Sequence, residues 1–125
     1  MILGVGTDII EIERISKAVT SEHFLQRVYT AAEREYALQR GKQAAASLAA
    51  RFAAKEAVLK AFGTGLRQGT LLDIEVVNDE LGCPHVRLSG YYEKLAAERG
   101  VQAIHLSLSH ARQYATAVCV MEGRP

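Results

Sequence analysis

The stretch QAAASLAARFAAKEAVLKAF, residues 43–62, decides the fold, because it is the longest helix-forming segment of the chain. Alanine has the highest intrinsic helix propensity, and Gly63, directly after this stretch, is a common helix stop. At about 100° per residue, one side of the helix carries an apolar stripe that consists of Leu48, Phe52, Leu59 and Phe62. Lys55 lies in the middle of this stripe, where a charge is out of place. We predict a long central helix with its apolar side buried.

The residues before the central helix predict one strand and three shorter helices. Residues 1–6 are typical of a short buried strand, after which Thr7 or Asp8 can cap a helix that begins at Ile9. A further helical stretch is expected at residues 22–29. Thr30 and Glu33 have the spacing of a capping box, which opens another helix through about residue 39.

The residues after the central helix predict two pairs of strands and one short helix. Residues 73–77 and 85–88 read as strands around a polar turn, and a helix is expected to start at Ser89 or Gly90. Residues 103–109 alternate apolar and polar side chains, and residues 114–121 supply a partner strand. Because helices and hairpin strands are segregated along the chain, we predict an α+β fold. Residues 1–125 form one domain, with the central helix packed on a small, mainly antiparallel sheet.

Composition indicates a folded protein without a general affinity for polyanions. The 125 residues are 49% hydrophobic, and 15 basic against 14 acidic residues give a formal charge of +1. This balance is unlike a disordered chain and produces no broad basic field that would attract nucleic acid. No apolar run approaches the roughly 20 residues that span a bilayer, and the first residues do not resemble a signal peptide. We expect a cytoplasmic protein that binds neither nucleic acid nor membranes.

The two cysteines occur in different contexts. Cys119 lies in an apolar run and is expected to be a small buried hydrophobe, whereas Cys83 lies in a turn before a proline. With no histidine or cysteine at ligand spacing nearby, neither cysteine is expected to bind zinc.

Several polar residues have an ordinary structural explanation when each is taken alone. Asp8 suits a helix N-cap, and Glu56 with Lys60 suits an i,i+4 ion pair worth about 0.2–0.5 kcal/mol. Lys55 could extend its aliphatic chain over the apolar stripe. The glycine-rich segment after the central helix follows a helix instead of preceding one, so neither a dinucleotide fingerprint nor a P-loop is present. His110, just past a strand, suits a surface turn.

Three blocks of sequence, taken together, point to one family. They are GVGTDI at residues 4–9, RFAAKEAVLKAFGTG at residues 51–65 and LSLSH at residues 106–110. In this order they resemble the holo-acyl-carrier-protein synthase family, the small trimeric phosphopantetheinyl transferases. The resemblance covers essentially the whole chain, and its most specific part is the Phe-x-x-Lys-Glu-Ala-x-x-Lys helix.

The resemblance implies a phosphopantetheinyl transferase-like fold and a reaction. Such enzymes move the phosphopantetheine group of coenzyme A onto a serine of an apo acyl carrier protein and release adenosine 3',5'-bisphosphate, in fatty-acid biosynthesis. They use Mg²⁺, and Asp8 and Glu56 match the family's metal ligands. Mg²⁺ favours oxygen ligands and stabilises the charge of a pyrophosphate under attack.

The same resemblance assigns roles to further residues. Lys60 matches a lysine that contacts the pyrophosphate and assists the departing bisphosphate, and Lys55 matches another phosphate-contacting lysine. Glu56, directly or through a metal-bound water, is expected to take the serine proton, so the catalytic residues are Asp8, Glu56 and Lys60. Coenzyme binding is expected from Arg51, Phe52, Lys55, Lys60, Gly63, Thr64, Gly65, Ser109 and His110.

The acidic carrier of this family docks on the basic first-helix region. Arg14 and Arg27 match arginines of that surface, and a solvated face is the alternative explanation for Arg14. His23 stands where some members have another arginine, so carrier binding is expected to be weaker or pH-sensitive. Two-lobed relatives carry a second acidic residue where this chain has Ile10, so water should fill more of the metal shell here.

The resemblance also implies a homotrimer with active sites between protomers. By analogy with the two-lobed relatives, Asp8, Glu56 and Lys60 of one protomer should face the serine and histidine of its neighbour. In this chain the serine is Ser109 and the histidine is His110.

Two other functions fit the same residues. A magnesium-dependent hydrolase of a nucleotide or phosphoanhydride would use the same carboxylates with water as the nucleophile. A trimeric ligand-binding domain would show no turnover. Detection of phosphopantetheine on a carrier protein separates the transferase from both.

Overall fold

The computed structural model describes residues 1–125 and contains five helices and five strands. In chain order they are β1 (Ile2–Glu11), α1 (Ile12–Ala18), α2 (Glu22–Val28), α3 (Ala31–Leu38), α4 (Ala44–Phe62), β2 (Ile74–Asn78), β3 (Pro84–Leu88), α5 (Gly90–Glu98), β4 (Val101–Ala111) and β5 (Tyr114–Gly123). Short 3₁₀ turns precede α4 and β2. The predicted α+β class is confirmed.

Two antiparallel sheets carry the strands. The larger sheet has the order β1-β5-β4, and the smaller one is the β2–β3 hairpin. In the larger sheet Asp8 is opposite Ala117, and Ser109 is opposite Thr116. The first and last thirds of the chain therefore meet side by side in one sheet, with β5 at its centre.

Helix α4 packs directly on the inner face of the larger sheet, and two glycines of β1 make this possible. A Cβ atom at Gly6 would overlap the carbonyl oxygen of Ala57, and one at Gly4 would overlap that of Ala61. Strand residues two apart point to the same face, so Asp8 also faces α4. The glycines therefore bring the next inward residue of the strand close to the helix.

The predicted helix start at Ile9 is wrong. Strand β1 continues to Glu11, because residues 7–11 pair with residues 114–118 of β5, from Thr7 opposite Val118 to Glu11 opposite Tyr114. Helix α1 begins only at Ile12, and no side chain caps it. Asp8 is thus a mid-strand residue and not an N-cap.

Two of the other helix boundaries predicted from the sequence, the start of α3 and the end of α4, are confirmed. Thr30 accepts a hydrogen bond from the Glu33 amide (3.2 Å), and Glu33 accepts one from the Thr30 amide (2.9 Å), which completes the capping box of α3. Helix α4 ends at Gly63 in the left-handed conformation (φ 79°), where glycine avoids the strain of a side chain. None of the helices, α4 included, combines the length and apolarity needed to cross a membrane.

Candidate active site

Three of the residues expected at the site come together where β1 crosses α4. Asp8 projects from the strand, and Glu56 and Lys60 project from the helix one turn apart. The Lys60 ammonium lies 3.1 Å from Asp8 Oδ1, with 56% of the lysine side chain and 17% of the aspartate side chain exposed. The i,i+4 ion pair between Glu56 and Lys60 does not form, because the lysine pairs with the strand.

A cavity of about 240 Å³ opens beside this cluster. Asp8 and Glu56 contribute carboxylates to its wall, and Arg14 of α1 contributes a guanidinium. Phe52 forms an apolar side of the same cavity and stacks on Phe24, with ring centroids 6.2 Å apart. Two acidic residues and one basic residue thus line a cavity that has an aromatic wall.

The electrostatics of Glu56 distinguish it from an ordinary surface carboxylate. Partial burial and then the negative charge of Asp8 raise its pKa, and the nearby ammonium of Lys60 only partly offsets them. Glu56 makes no ion pair within the chain, and the one ammonium present lies on Asp8. Two neighbouring carboxylates with too little positive charge between them have the donor set that suits a hard divalent cation.

A second cavity, of about 180 Å³, contains Arg51 and His110. Arg51 is 4% exposed, and its guanidinium lies over the Tyr36 ring at 4.2 Å. It donates hydrogen bonds to Ser47 (3.1 Å) and Asn78, while its buried Nε has no partner. Burial lowers the pKa of Arg51. The cavity therefore presents a positioned, incompletely satisfied cation.

Ser109 and His110 are separated by the pleat of β4. His110 lies on the side of Arg51, whereas Ser109 points to the outer face of the sheet, as consecutive strand residues do. Within one chain, only the histidine joins the cationic cavity.

The glycine-rich segment leaves α4 just after Lys60. Gly63 and Gly65 both have positive φ values, and Thr64 donates a hydrogen bond to the Gly65 carbonyl (3.2 Å). The Tyr92 hydroxyl donates to the same carbonyl at 3.3 Å. The segment is exposed and runs past the end of the helix that carries the catalytic candidates.

Lys55 is not in the site, which corrects both explanations offered for it. Its side chain is fully buried, and its ammonium donates to Glu33 Oε1 (2.7 Å) and to the carbonyls of Val28 (2.6 Å) and Leu71 (3.0 Å). Because all three protons are used inside the core, Lys55 neither contacts a phosphate nor extends its charge to solvent.

The residues matched to carrier docking line two separate cavities. Arg14 lines the cavity of Asp8 and Glu56. His23 and Arg27 project from α2 and line another cavity, of about 520 Å³, beside residues 66 and 69–72. Arg14 therefore adjoins the catalytic candidates, whereas His23 and Arg27 line a cavity of their own.

Sequence reasoning missed two features that depend on tertiary contacts. Tyr36 and Asn78 hold the guanidinium of Arg51, but they are distant in sequence and carry no motif. The exclusion of Cys83 as a zinc candidate overlooked possible ligands, because the β2–β3 turn places Asp79 and His85 next to it. The spacing Asp-x-x-x-Cys-x-His within one predicted hairpin was the signal that could have indicated this cluster.

Comparisons with known proteins agree with the geometry. Residues 4–119 match the 4'-phosphopantetheinyl transferase superfamily. The chain is 51% identical to the holo-[acyl-carrier-protein] synthase of Vibrio parahaemolyticus over 124 residues, which cover 97% of this chain and 98% of the relative. The crystal structure of that synthase from Neisseria meningitidis aligns with a TM-score of 0.89 at 36% identity, covering 98% of this chain and 99% of the other.

A further solved relative is described in complex with the coenzyme. It is the synthase from Bacillus anthracis, in complex with CoA (3',5'-ADP), which aligns with a TM-score of 0.83 at 40% identity over 98% of both chains. The matched residues 4–119 include all three sequence blocks and the residues that line both cavities. The chain therefore belongs to the 4'-phosphopantetheinyl transferase superfamily and, within it, to the holo-[acyl-carrier-protein] synthases.

Proposed function

We propose that this chain transfers the phosphopantetheine group of coenzyme A to a serine of an apo acyl carrier protein, in the cytoplasm and for fatty-acid synthesis. The observation that carries the proposal is the convergence of Asp8, Glu56 and Lys60 beside a cavity, in a chain of this family. The serine Oγ forms a bond to the phosphorus next to pantetheine, and the bond from that phosphorus to the bisphosphate oxygen breaks. Adenosine 3',5'-bisphosphate leaves with the electron pair.

Asp8 and Glu56 fit a Mg²⁺ ion. Both supply hard oxygen ligands, and Glu56 has no cationic partner in the chain. When bound, the ion would neutralise charge on the pyrophosphate and polarise its oxygens. Only one carboxylate comes from β1, since Ile10 is buried apolar, so water and substrate oxygens complete the shell.

The other side chains of the site have separate roles in proton transfer, leaving-group stabilisation and desolvation. Glu56, directly or through a metal-bound water, is placed to accept the serine proton, since it lines the cavity and has no cationic partner in the chain. The ammonium of Lys60 is more than half exposed and can turn from Asp8 toward the leaving bisphosphate, where negative charge develops. Phe52 and Phe24 keep the adjoining wall apolar, which strengthens these charge interactions.

The phosphates of the nucleotide half fit the cavity of Arg51 and His110. The guanidinium of Arg51 is fixed by Tyr36 and Asn78 at the wall of this cavity, where its positive charge suits an anion. Gly63, Thr64 and Gly65 lie in an exposed segment near Lys60, where backbone can approach the coenzyme closely.

A homotrimer explains how the two cavities serve one coenzyme molecule. Arg51 and Glu56 are five positions apart, which places them about 140° apart around α4, so the two cavities open on different sides of the helix. The outer face of the larger sheet is apolar and exposed at Val5, Ile9 and Val118. We infer that this face packs against neighbouring copies and brings the catalytic cluster of one protomer to Ser109 and His110 of the next.

The acidic carrier docks on the basic residues beside the catalytic cavity. Arg14 lines that cavity, and Arg27 adds a positive charge on α2, beside the separate cavity that His23 also lines. Arg14→Glu and Arg27→Glu should each raise the Michaelis constant for the carrier about tenfold and leave that for coenzyme A nearly unchanged. Lys94→Glu on α5 is the control with the same charge change on an exposed residue. Equal effects on both substrates would place the arginines in the coenzyme site.

The decisive experiment incubates the protein with coenzyme A, Mg²⁺ and an apo acyl carrier protein, and weighs the carrier by mass spectrometry. With the wild-type protein, the mass of the carrier should increase by one phosphopantetheine group. With the Asp8→Ala variant, the mass of the carrier should not change. Bisphosphate released without a carrier would indicate a hydrolase instead. Binding of coenzyme A without turnover would indicate a ligand-binding domain.

The shared site has its own test. Asp8→Ala and His110→Ala should each be inactive, but partial unfolding and refolding of their mixture should create interfaces where an intact Asp8 meets an intact His110. Activity should then reappear. If mass spectrometry finds mixed trimers that stay inactive, all the site residues lie within one chain.

A further inference from the structure

The turn between β2 and β3 carries three metal-ligating side chains that the proposed function does not use. Asp79, Cys83 and His85 are exposed, and one ligand atom from each lies within 4.8 Å of the other two. We propose that this turn is a transition-metal site of the zinc type. Its ligands are the Asp79 carboxylate, the Cys83 thiolate and the His85 imidazole.

The carboxylate of Asp79 is already fixed in the orientation that the site requires. Its Oδ1 accepts hydrogen bonds from the amides of Leu81 and Cys83, both at 2.9 Å. Its Oδ2 lies 2.9 Å from His85 Nε2. One oxygen thus holds the turn together while the other is directed at the imidazole, where a metal ion can replace the shared proton.

The backbone of the turn is equally constrained. The Asp79 amide donates to the Cys83 carbonyl (2.9 Å), and Gly82 reverses the chain with a φ of 84°. The side chain of Asn78 donates to the Gly82 carbonyl at 2.9 Å. Because the hairpin holds His85 opposite Val77, the strand register keeps the histidine next to the turn that carries Asp79 and Cys83.

The ligand set selects the class of metal. Zinc bonds of about 2.0–2.3 Å in a tetrahedron place ligand atoms roughly 3.3–3.8 Å apart, which small side-chain rotations reach from the observed spacing. Thiolate and imidazole favour Zn²⁺ or Co²⁺ over Mg²⁺. Two anionic ligands neutralise the ion, and three protein ligands leave a fourth position for water.

The site is chemically distinct from the cluster of Asp8 and Glu56, and this makes it testable. Those carboxylates offer oxygen ligands only, so cobalt bound there gives no thiolate-to-metal charge-transfer absorption. The other cysteine, Cys119, is fully buried and cannot reach an added ion without unfolding. A charge-transfer band in the folded protein therefore reports on Cys83 alone.

The experiment titrates the reduced, full-length protein with Co²⁺ in a buffer without chelators and records near-ultraviolet and visible absorption. We expect a thiolate-to-cobalt band together with the visible bands of a tetrahedral ion, and both should be lost on adding excess Zn²⁺. Cys83→Ser should abolish the charge-transfer band. His85→Ala and Asp79→Asn should each weaken cobalt binding about tenfold or more.

His105→Ala is the matched control. His105 is an exposed histidine whose Nε2 lies 2.7 Å from a carboxylate oxygen of Glu122. This pair resembles that of His85 and Asp79 but has no cysteine beside it. His105→Ala should therefore leave the charge-transfer band unchanged. Cys83→Ser should retain transferase activity, which separates this site from the proposed function. Absence of the band in the wild-type protein, or its persistence in Cys83→Ser, would overturn the proposal.

Discussion

Two lysines on the same helix, five residues apart, have opposite surroundings. Lys55 is fully buried and donates all of its ammonium protons to Glu33 and to two backbone carbonyls. Lys60 is more than half exposed and has one carboxylate partner, Asp8. The polar cluster around Lys55 is complete, whereas the cluster around Lys60 leaves Glu56 without a partner. A satisfied cluster stabilises the fold, and an unsatisfied one is available to a ligand.

The buried cluster connects four parts of the protein. Glu33 caps its own helix through the Thr30 amide, and its other oxygen accepts the amide of Val76 in β2 (2.9 Å). Burial lowers the pKa of Lys55, and the charge of Glu33 partly offsets that effect. Inside the core, the ion pair and its hydrogen bonds therefore connect α3, α4, β2 and the end of α2.

The largest effect is expected from breaking the buried cluster. Lys55→Met should lower the free energy of unfolding by about 3–5 kcal/mol, because it leaves the Glu33 carboxylate buried without a cation. Urea unfolding measures this loss. The matched variant Lys60→Met should change stability by less than about 0.5 kcal/mol, since that side chain is at the surface.

A double substitution sharpens the same test. Adding Glu33→Gln to Lys55→Met removes the stranded charge and keeps an amide oxygen as acceptor, so part of the lost stability should return. If Lys55→Met instead unfolds like the wild type and binds coenzyme A poorly, then Lys55 is a phosphate ligand as the family resemblance implied.

The next largest effect is expected on enzyme activity, from substitutions in the cluster around Lys60. Asp8→Ala and Glu56→Ala should each lower kcat/KM about 100-fold or more, equivalent to roughly 2.7 kcal/mol, because each removes one of the two carboxylates of the proposed Mg²⁺ site. The double variant should lose little beyond either single one, since residues that act as a unit are not additive. Multiplicative losses would show that the two carboxylates act independently. Urea unfolding should confirm that all three variants remain folded.

Local sequence was enough to predict features that depend on neighbours in the chain. The capping box of Thr30 and Glu33, the end of α4 at Gly63 and the β2–β3 hairpin all follow from short-range spacing. The second role of Glu33, as the partner of Lys55 across 22 positions, has no such signal. Lys55 and Lys60 both match the family motif, and only tertiary packing separates the structural one from the exposed one.

Asp8 shows how the sequence misled the local interpretation. The pattern GVGTDI predicts a strand that stops at Gly6, because Thr7 and Asp8 are residue types that commonly cap a helix. In the structure those glycines face α4, and pairing with β5 carries the strand on to Glu11. The site could be predicted from the family resemblance, but its position on a strand could not.

The smallest effect follows from the raised pKa of Glu56. With a folded pKa above the ordinary value of 4.5, the native state binds more protons than the unfolded chain between those two values. Stability of the wild type, in EDTA, therefore falls as the pH rises through that window. Glu56→Gln cannot ionise and avoids this cost, so at neutral pH it should be more stable than the wild type.

The expected gain is less than about 1 kcal/mol, a rise in Tm of a few degrees, and it should vanish below pH 4.5. Scanning calorimetry of both proteins across pH measures it. Added Mg²⁺ should raise the Tm of the wild type more than that of the variant, because the charged carboxylate is then a ligand. If Glu56→Gln is instead less stable than the wild type at neutral pH without metal, Glu56 has a stabilising partner. The clusters around Lys55 and Lys60 would then both be satisfied within the chain.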